Sequence, residues 1–216
     1  MRHPLDAAPN IVTMPPLRKP LRERGFSSNA LSQTCLDDDM IRLFAALAIP
    51  PDAGAALLTR QTGLKGARWR PLEALHITLR FIGEIREDVA RDLDAELAVI
   101  AAQPFEIILE GAGCFGEGDE VDAVWAGVAE NPMLRRLARA CEGAARRAGL
   151  PADPRTYRPH VTLAYVRRAE PADVAAWIVA NNLLKSPPIR VDRFGLYSSH
   201  LGRDGSSYAL EAEYPL

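Results

Sequence analysis

The stretch "LHITL" at residues 75–79 returns as "PHVTL" at residues 159–163. Each copy places a histidine, an apolar residue, a threonine and a leucine in the same order, and the whole chain has only 4 histidines. One short match of this kind is weak evidence, because short motifs often arise by chance. Two copies in a chain so poor in histidine indicate a shared role for both.

Both copies lie in strand-length runs that are rich in β-branched and large apolar residues, so both are predicted to be β-strands. Side chains at positions i and i+2 of a strand point to the same face. His76 therefore shares a face with Thr78, and His160 shares a face with Thr162, while the apolar neighbours anchor each strand in a core. If the two faces meet across a cleft, two imidazoles and two hydroxyls converge on one polar pocket.

Such a pocket suits substitution at phosphorus. One imidazole can act as a general base and the other as a general acid near neutral pH, and hydroxyls can donate hydrogen bonds to nonbridging oxygens. A lone strand histidine is more often a hydrogen-bonded structural residue, and it is the duplication that argues against this interpretation. A zinc site is disfavoured, because two histidines lack the third or fourth ligand.

Composition sets limits on the function. The chain is 48% hydrophobic and 25% charged, as is usual for a soluble globular protein. The net charge is −2, so the chain lacks the excess of basic residues that is typical of a general nucleic-acid binder. Any phosphate chemistry is therefore expected at one small site. The longest apolar run, at 43–51, is too short for a membrane span. Three widely spaced cysteines favour a reducing, cytoplasmic location.

The chain divides into two regions. Residues 1–39 are rich in proline and without periodicity, which predicts a disordered N-terminal extension, or upstream sequence translated in frame. From Met40 onward strands and helices interleave, often with hairpin-like connections, which favours an α+β fold with mostly antiparallel sheets. Strands are predicted at 41–49, 67–71, 74–84 (stopping at Gly83), 104–115, 122–128, 158–166, 189–199 and 207–215, and helices at 52–63, 87–102, 131–150 and 171–184.

The paired motifs resemble those of the 2H phosphoesterases, which are named for two His-x-Thr motifs. The segments "MIRLFAALAIPP", "RWRPLEALHITLRFIGE", "YRPHVTLAYV" and "FGLYSSHLGRDGSSYALEAEYPL" are similar to the bacterial RNA 2′,3′-cyclic phosphodiesterase family, also called 2′-5′ RNA ligases. The resemblance covers about residues 40–216 in the same order. It implies a single duplicated, bilobal domain over that range, with two mostly antiparallel sheets flanking a central cleft and helices outside.

The resemblance also implies an activity, which is the hydrolysis of an RNA 2′,3′-cyclic phosphate to a 2′-phosphomonoester without a metal or other cofactor. By position, His76 would be the general acid that protonates the leaving O3′, and His160 the general base that activates water. Thr78 and Thr162 would bind phosphate oxygens. The expected partners are RNA ends or nucleotides that bear a 2′,3′-cyclic phosphate. No membrane and no obligate protein partner are expected, and the protein is predicted to be a monomer.

Two positions depart from the family pattern. Relatives often carry lysine four residues after the first histidine, where this chain has Arg80; strand parity places it on the His76 face, as a phosphate contact or a solvated charge. Relatives often carry arginine at the position of Tyr165, and Arg158 could supply a charge instead, although a surface role is the simpler expectation for it.

Two alternative functions remain open at this point. The same fold could join or cleave 2′-5′ linked RNA, since ligation is the reverse direction of similar chemistry. A protein of another class, a non-catalytic module that binds RNA ends or nucleotides, would not need both proton-transfer groups, so the intact motifs argue against it.

Overall fold

A computed structural model describes residues 40–202 and 205–216, so the extension predicted over 1–39 lies outside the described residues. Short 3₁₀ helices lie at Leu72–Ala74 and Gly118–Glu120. None of the described helices is long and apolar enough to cross a membrane. In chain order the elements are β1 Met40–Ala48, α1 Pro51–Leu58, β2 Ala67–Trp69, β3 His76–Arg86, α2 Glu87–Ala98, β4 Phe105–Ile107, β5 Leu109–Phe115, β6 Ala123–Val128, α3 Pro132–Arg147, β7 His160–Val166, α4 Pro171–Asn181, β8 Ile189–Val191, β9 Arg193–Gly202 and β10 Gly205–Pro215.

The main sheet consists of two antiparallel half-sheets. One half has the strand order β10-β9-β1-β3 and the other β7-β6-β5, with β2 also paired to β7. The halves join where β3 meets β7, through the single residue pair Ile77 and Val161. Strands β4 and β8 form a separate two-stranded sheet. The predicted α+β class with mostly antiparallel pairing is confirmed, and the two expected sheets meet edge to edge.

The helices follow from apolar periodicity. In α3, Leu134, Leu137 and Cys141 recur at three- and four-residue steps, and all three are buried. Asn131 caps this helix, because its side-chain oxygen accepts a hydrogen bond from the Leu134 N–H at 3.0 Å. α3 packs on α2 and on β3, which holds one wall of the cleft next to the first histidine motif.

Several boundary predictions were wrong. The strand predicted at 189–199 is divided into β8 and β9, and the helix predicted at 52–63 ends at Leu58. β3 does not stop at Gly83 but continues to Arg86, and Gly83, with a positive φ of 87°, pairs with Leu43 where the register shifts. The glycine therefore permits a β-bulge instead of ending the strand. The apolar run at 104–115 is not one strand, since β4 pairs with β8 and β5 pairs with β6.

Candidate active site

The two histidine motifs meet at the junction of the half-sheets. Ile77 and Val161 are paired partners and are fully buried. In an antiparallel pairing centred on them, His76 lies across from Thr162 and Thr78 across from His160, on the opposite face of the sheet. All four side chains line one cleft of about 1120 Å³. The structure thus brings together the four residues that the sequence singled out.

Both imidazoles are held in the same way. Nδ1 of His76 lies 2.9 Å from the carbonyl oxygen of Ala74, and Nδ1 of His160 lies 2.7 Å from the carbonyl oxygen of Arg158. A carbonyl can only accept a hydrogen bond, so Nδ1 carries the proton in each ring. Nε2 is then the nitrogen of each neutral ring that can accept a proton from a ligand.

Burial keeps both imidazoles uncharged in the free protein. It lowers the pKa of His76 to about 4; the hydrogen bond to the Ala74 carbonyl opposes this effect, and the charges of Arg70 and His160 add to it. Burial also lowers the pKa of His160, against the hydrogen bond to the Arg158 carbonyl. Near pH 7 both rings are therefore neutral in the free protein.

Aromatic rings flank each histidine. The His76 ring lies 4.9 Å from Phe44 and 5.2 Å from Tyr208, measured between centroids. The His160 ring lies 4.7 Å from Phe115, edge to face. All three rings line the cleft, but Phe44 is only 4% exposed, so Tyr208 and Phe115, which are partly exposed, are the rings that can stack on a planar ligand.

Arg80 is neither a solvated charge nor free to bind a ligand, which corrects one of the two expectations for it and weakens the other. Its side chain is 9% exposed, and its Nε lies 2.5 Å from a Glu142 carboxylate oxygen. A second ion pair joins it to Asp153 at 3.5 Å, and it donates a hydrogen bond to the Pro151 carbonyl at 2.7 Å. Two carboxylates thus compensate its charge, and Arg80 ties β3 to α3 and to the segment before β7.

Arg158 and Tyr165 both lie at the cleft, and both are exposed to solvent. Arg158 contributes its backbone carbonyl to His160, while its side chain lies at the surface, as expected.

Arg70 is the cleft residue that sequence reasoning missed. It lies six residues before His76, lines the cleft and is 6% exposed. No local pattern marked it, because its position depends on the pairing of β2 with β7.

A metal site is not evident near these residues. Within 40–202 and 205–216, histidine, cysteine, aspartate and glutamate nowhere form a group of three or more that could hold a metal ion. The cleft presents two imidazoles, two hydroxyls and nearby guanidinium groups.

Comparisons with known proteins identify the family and the fold. The family model described as the 2′-5′ RNA ligase superfamily matches residues 50–203, a range that includes both motifs. An RNA 2′,3′-cyclic phosphodiesterase of Thermus thermophilus is 31% identical over 188 residues, covering 82% of this chain and 90% of that protein. One of Archaeoglobus fulgidus is 31% identical over 134 residues, covering 61% and 76%. The crystal structure of E. coli LigT complexed with 3′-AMP matches with a TM-score of 0.66 at 25% identity, covering 82% of this chain and 99% of that one.

Proposed function

The chain is an enzyme of the 2′-5′ RNA ligase superfamily, and we propose that it hydrolyses RNA 2′,3′-cyclic phosphate ends to 2′-phosphomonoesters without a metal. The observation that carries the proposal is the single β-bridge, Ile77 to Val161, which sets two His-x-Thr units against each other on one face. We assign the activity to one domain over residues 40–216. Its substrates are RNA ends or nucleotides that carry the cyclic phosphate.

The proposed reaction uses one imidazole on each side of the phosphorus. Nε2 of neutral His160 takes a proton from water, and the resulting hydroxide oxygen attacks the phosphorus. The bond from phosphorus to O3′ breaks, and O3′ receives the proton from Nε2 of His76. Thr78 and Thr162 donate hydrogen bonds to the nonbridging oxygens. General acid and general base each contribute about 10²–10⁴-fold in typical enzymes.

The substrate itself helps to charge the acid. His76 has its pKa lowered to about 4 in the free protein, so it is neutral at pH 7. A cyclic phosphate is an anion, and an anion beside a buried imidazole favours its protonated form. Binding therefore raises the pKa of His76 towards neutrality while the phosphorus comes within reach of both rings. His160 must stay unprotonated to act as the base.

RNA suits the cleft better than a small alkyl phosphodiester does. Single-stranded bases bind proteins by stacking on aromatic side chains. Phe44 and Tyr208 lie beside one histidine, and Phe115 lies beside the other. The nucleoside on either side of the phosphate can therefore stack on a ring of the wall next to it.

The test is a product assay on an oligonucleotide with a 2′,3′-cyclic phosphate end, run in EDTA. We expect a product heavier by one water, whose phosphate a phosphomonoesterase removes. His76→Ala and His160→Ala should abolish turnover but keep most of the affinity. His200→Ala is the matched control, because His200 is exposed on β9 and does not line the cleft. Turnover that survives in either cleft variant, or that EDTA abolishes, would contradict the mechanism.

A further inference from the structure

Among the residues that the structure describes, Arg70 is a buried cation without a carboxylate partner. Only 6% of its surface is exposed. Across the described ranges 40–202 and 205–216, no carboxylate lies within ion-pair distance of its guanidinium. Its side-chain hydrogen bond goes to the Ser206 carbonyl at 3.5 Å, which is long for such a bond. Proteins rarely bury a charge unpaired, so this guanidinium can accept an anionic ligand in addition to the described residues around it.

The position of Arg70 is fixed from both half-sheets. Its backbone N–H donates to the Leu163 carbonyl at 2.8 Å, which extends the pairing of β2 with β7. Its guanidinium lies 5.5 Å from the ring centroid of Tyr165 on β7 and 5.3 Å from that of Tyr208 on β10. These two rings hold the guanidinium in place through cation–π contacts. They leave its N–H groups, which donate in the plane of the guanidinium, available for a ligand.

This cation lies at the His76 end of the cleft. Tyr208 contacts both Arg70 and the His76 ring, which lies 5.2 Å from it. The charge of Arg70 is one cause of the low pKa of His76, whereas it has no such effect on His160. Arg70 and the two His-x-Thr motifs line the same cavity.

We propose that Arg70 is a phosphate-binding residue of this site, which holds a nonbridging oxygen on the His76 side. This assignment rests on the proposed function, because it takes the ligand to be a phosphate ester bound between the two motifs. Arginine suits this role, since its planar fork can donate two parallel hydrogen bonds to a phosphate. The product 2′-phosphomonoester carries more negative charge than the cyclic ester, so Arg70 binds the product more strongly than the substrate.

The proposal links phosphate binding to proton transfer. A phosphate that pairs with Arg70 compensates its charge and so removes one cause of the low pKa of His76. The same contact that positions the phosphate thereby favours the protonated form of the proposed acid.

The experiment compares two ligands that differ by one phosphate, adenosine 2′-phosphate and adenosine, by titration calorimetry. Arg70→Gln should lower the affinity for adenosine 2′-phosphate about 10- to 100-fold, because charge-assisted hydrogen bonds are lost. It should change the affinity for adenosine less than about 2-fold. Arg68→Gln is the matched control. The Arg68 guanidinium also lies near Tyr165, 6.0 Å from its ring centroid, but Arg68 is exposed and does not line the cleft. Arg70→Lys, which keeps the charge, should recover part of the affinity.

A structural role would give a different result. If Arg70→Gln weakens both ligands equally, or neither, Arg70 does not bind phosphate. Arg70→Met keeps an apolar stem between the tyrosines, so it tests the same loss of phosphate affinity if Arg70→Gln does not fold.

Turnover of the cyclic oligonucleotide separates the two proposals. An active wild type with an equally active Arg70→Gln overturns only the role of Arg70. A wild type that binds the phosphate through Arg70 but never hydrolyses the oligonucleotide overturns only the proposed function.

Discussion

Replacing His76 with glutamine should remove a specific part of the pH dependence of stability. The folded protein holds His76 at a pKa of about 4, mainly through burial, whereas the unfolded chain holds it near 6.5. Between these two values the unfolded state binds more protons than the folded state. Above pH 6.5 His76 is therefore neutral in both states and does not reduce the free energy of unfolding. As the pH falls from 6.5 towards 4, the free energy of unfolding decreases.

The size of the effect follows from the two pKa values. Linkage predicts that His76 costs the wild type about 2 kcal/mol at pH 5 and about 3 kcal/mol below pH 4, relative to pH 7.5. The glutamine variant also loses the ring contacts with Phe44 and Tyr208. Those contacts change its stability by an amount that does not depend on pH, so only the difference in slope between the two proteins is informative.

Urea unfolding of both proteins at a series of pH values measures this difference. The other groups of the cleft are present in both proteins, so the difference between the two curves reports mainly on His76. The free energy of unfolding of the wild type should approach or fall below that of His76→Gln as the pH decreases. Parallel curves between pH 7.5 and pH 5 would show that His76 is not held neutral by burial. The substrate-induced charging of the acid would then have no basis.

Three further predictions concern the same site. Thr78→Val and Thr162→Val should each lower kcat/KM about 10- to 100-fold by removing a hydrogen bond to a charged phosphate, and unchanged steady-state kinetics would exclude that contact. Ile77→Ala should lower the free energy of unfolding by about 2–5 kcal/mol in urea titrations, because Ile77 is fully buried and forms the pair that joins the half-sheets; a loss under about 1 kcal/mol would contradict this. Saturating adenosine 2′-phosphate should raise the pKa of His76 as followed by NMR, and an unchanged titration would mean that no phosphate binds beside it.

The sequence predicted those features that follow from local periodicity. Strand parity alone placed His76 with Thr78 and His160 with Thr162, and the three- and four-residue spacing located α3 with its cap at Asn131. Such features depend on neighbours in the chain, so one sequence is enough to find them. The bulge at Gly83 was misread as a strand end, because a glycine that leaves a strand and one that bends it look alike in sequence.

Features that depend on long-range pairing were not accessible in this way. Parity placed Arg80 at the cleft correctly, but its two carboxylate partners come from α3 and from the segment before β7. Arg70 was overlooked, because its role depends on β2 pairing with a strand about 100 residues away and on Tyr165 and Tyr208. The tyrosine at 165, which departs from the family pattern, packs its ring against this arginine.

The geometry of the site raises a question that the motifs alone cannot answer. A bridge between two copies of one motif gives a nearly twofold arrangement, in which each histidine faces the other copy's threonine and each Nδ1 is held by a carbonyl two residues earlier. If the two imidazoles were equivalent, either could act as the acid or as the base. Their roles must therefore be set by groups outside the motifs. Burial lowers the pKa of both rings, and of the two only His76 has its pKa lowered further by the charge of Arg70. In the proposed mechanism, a phosphate that pairs with Arg70 would change His76 more than His160, and this difference would assign His76 as the acid.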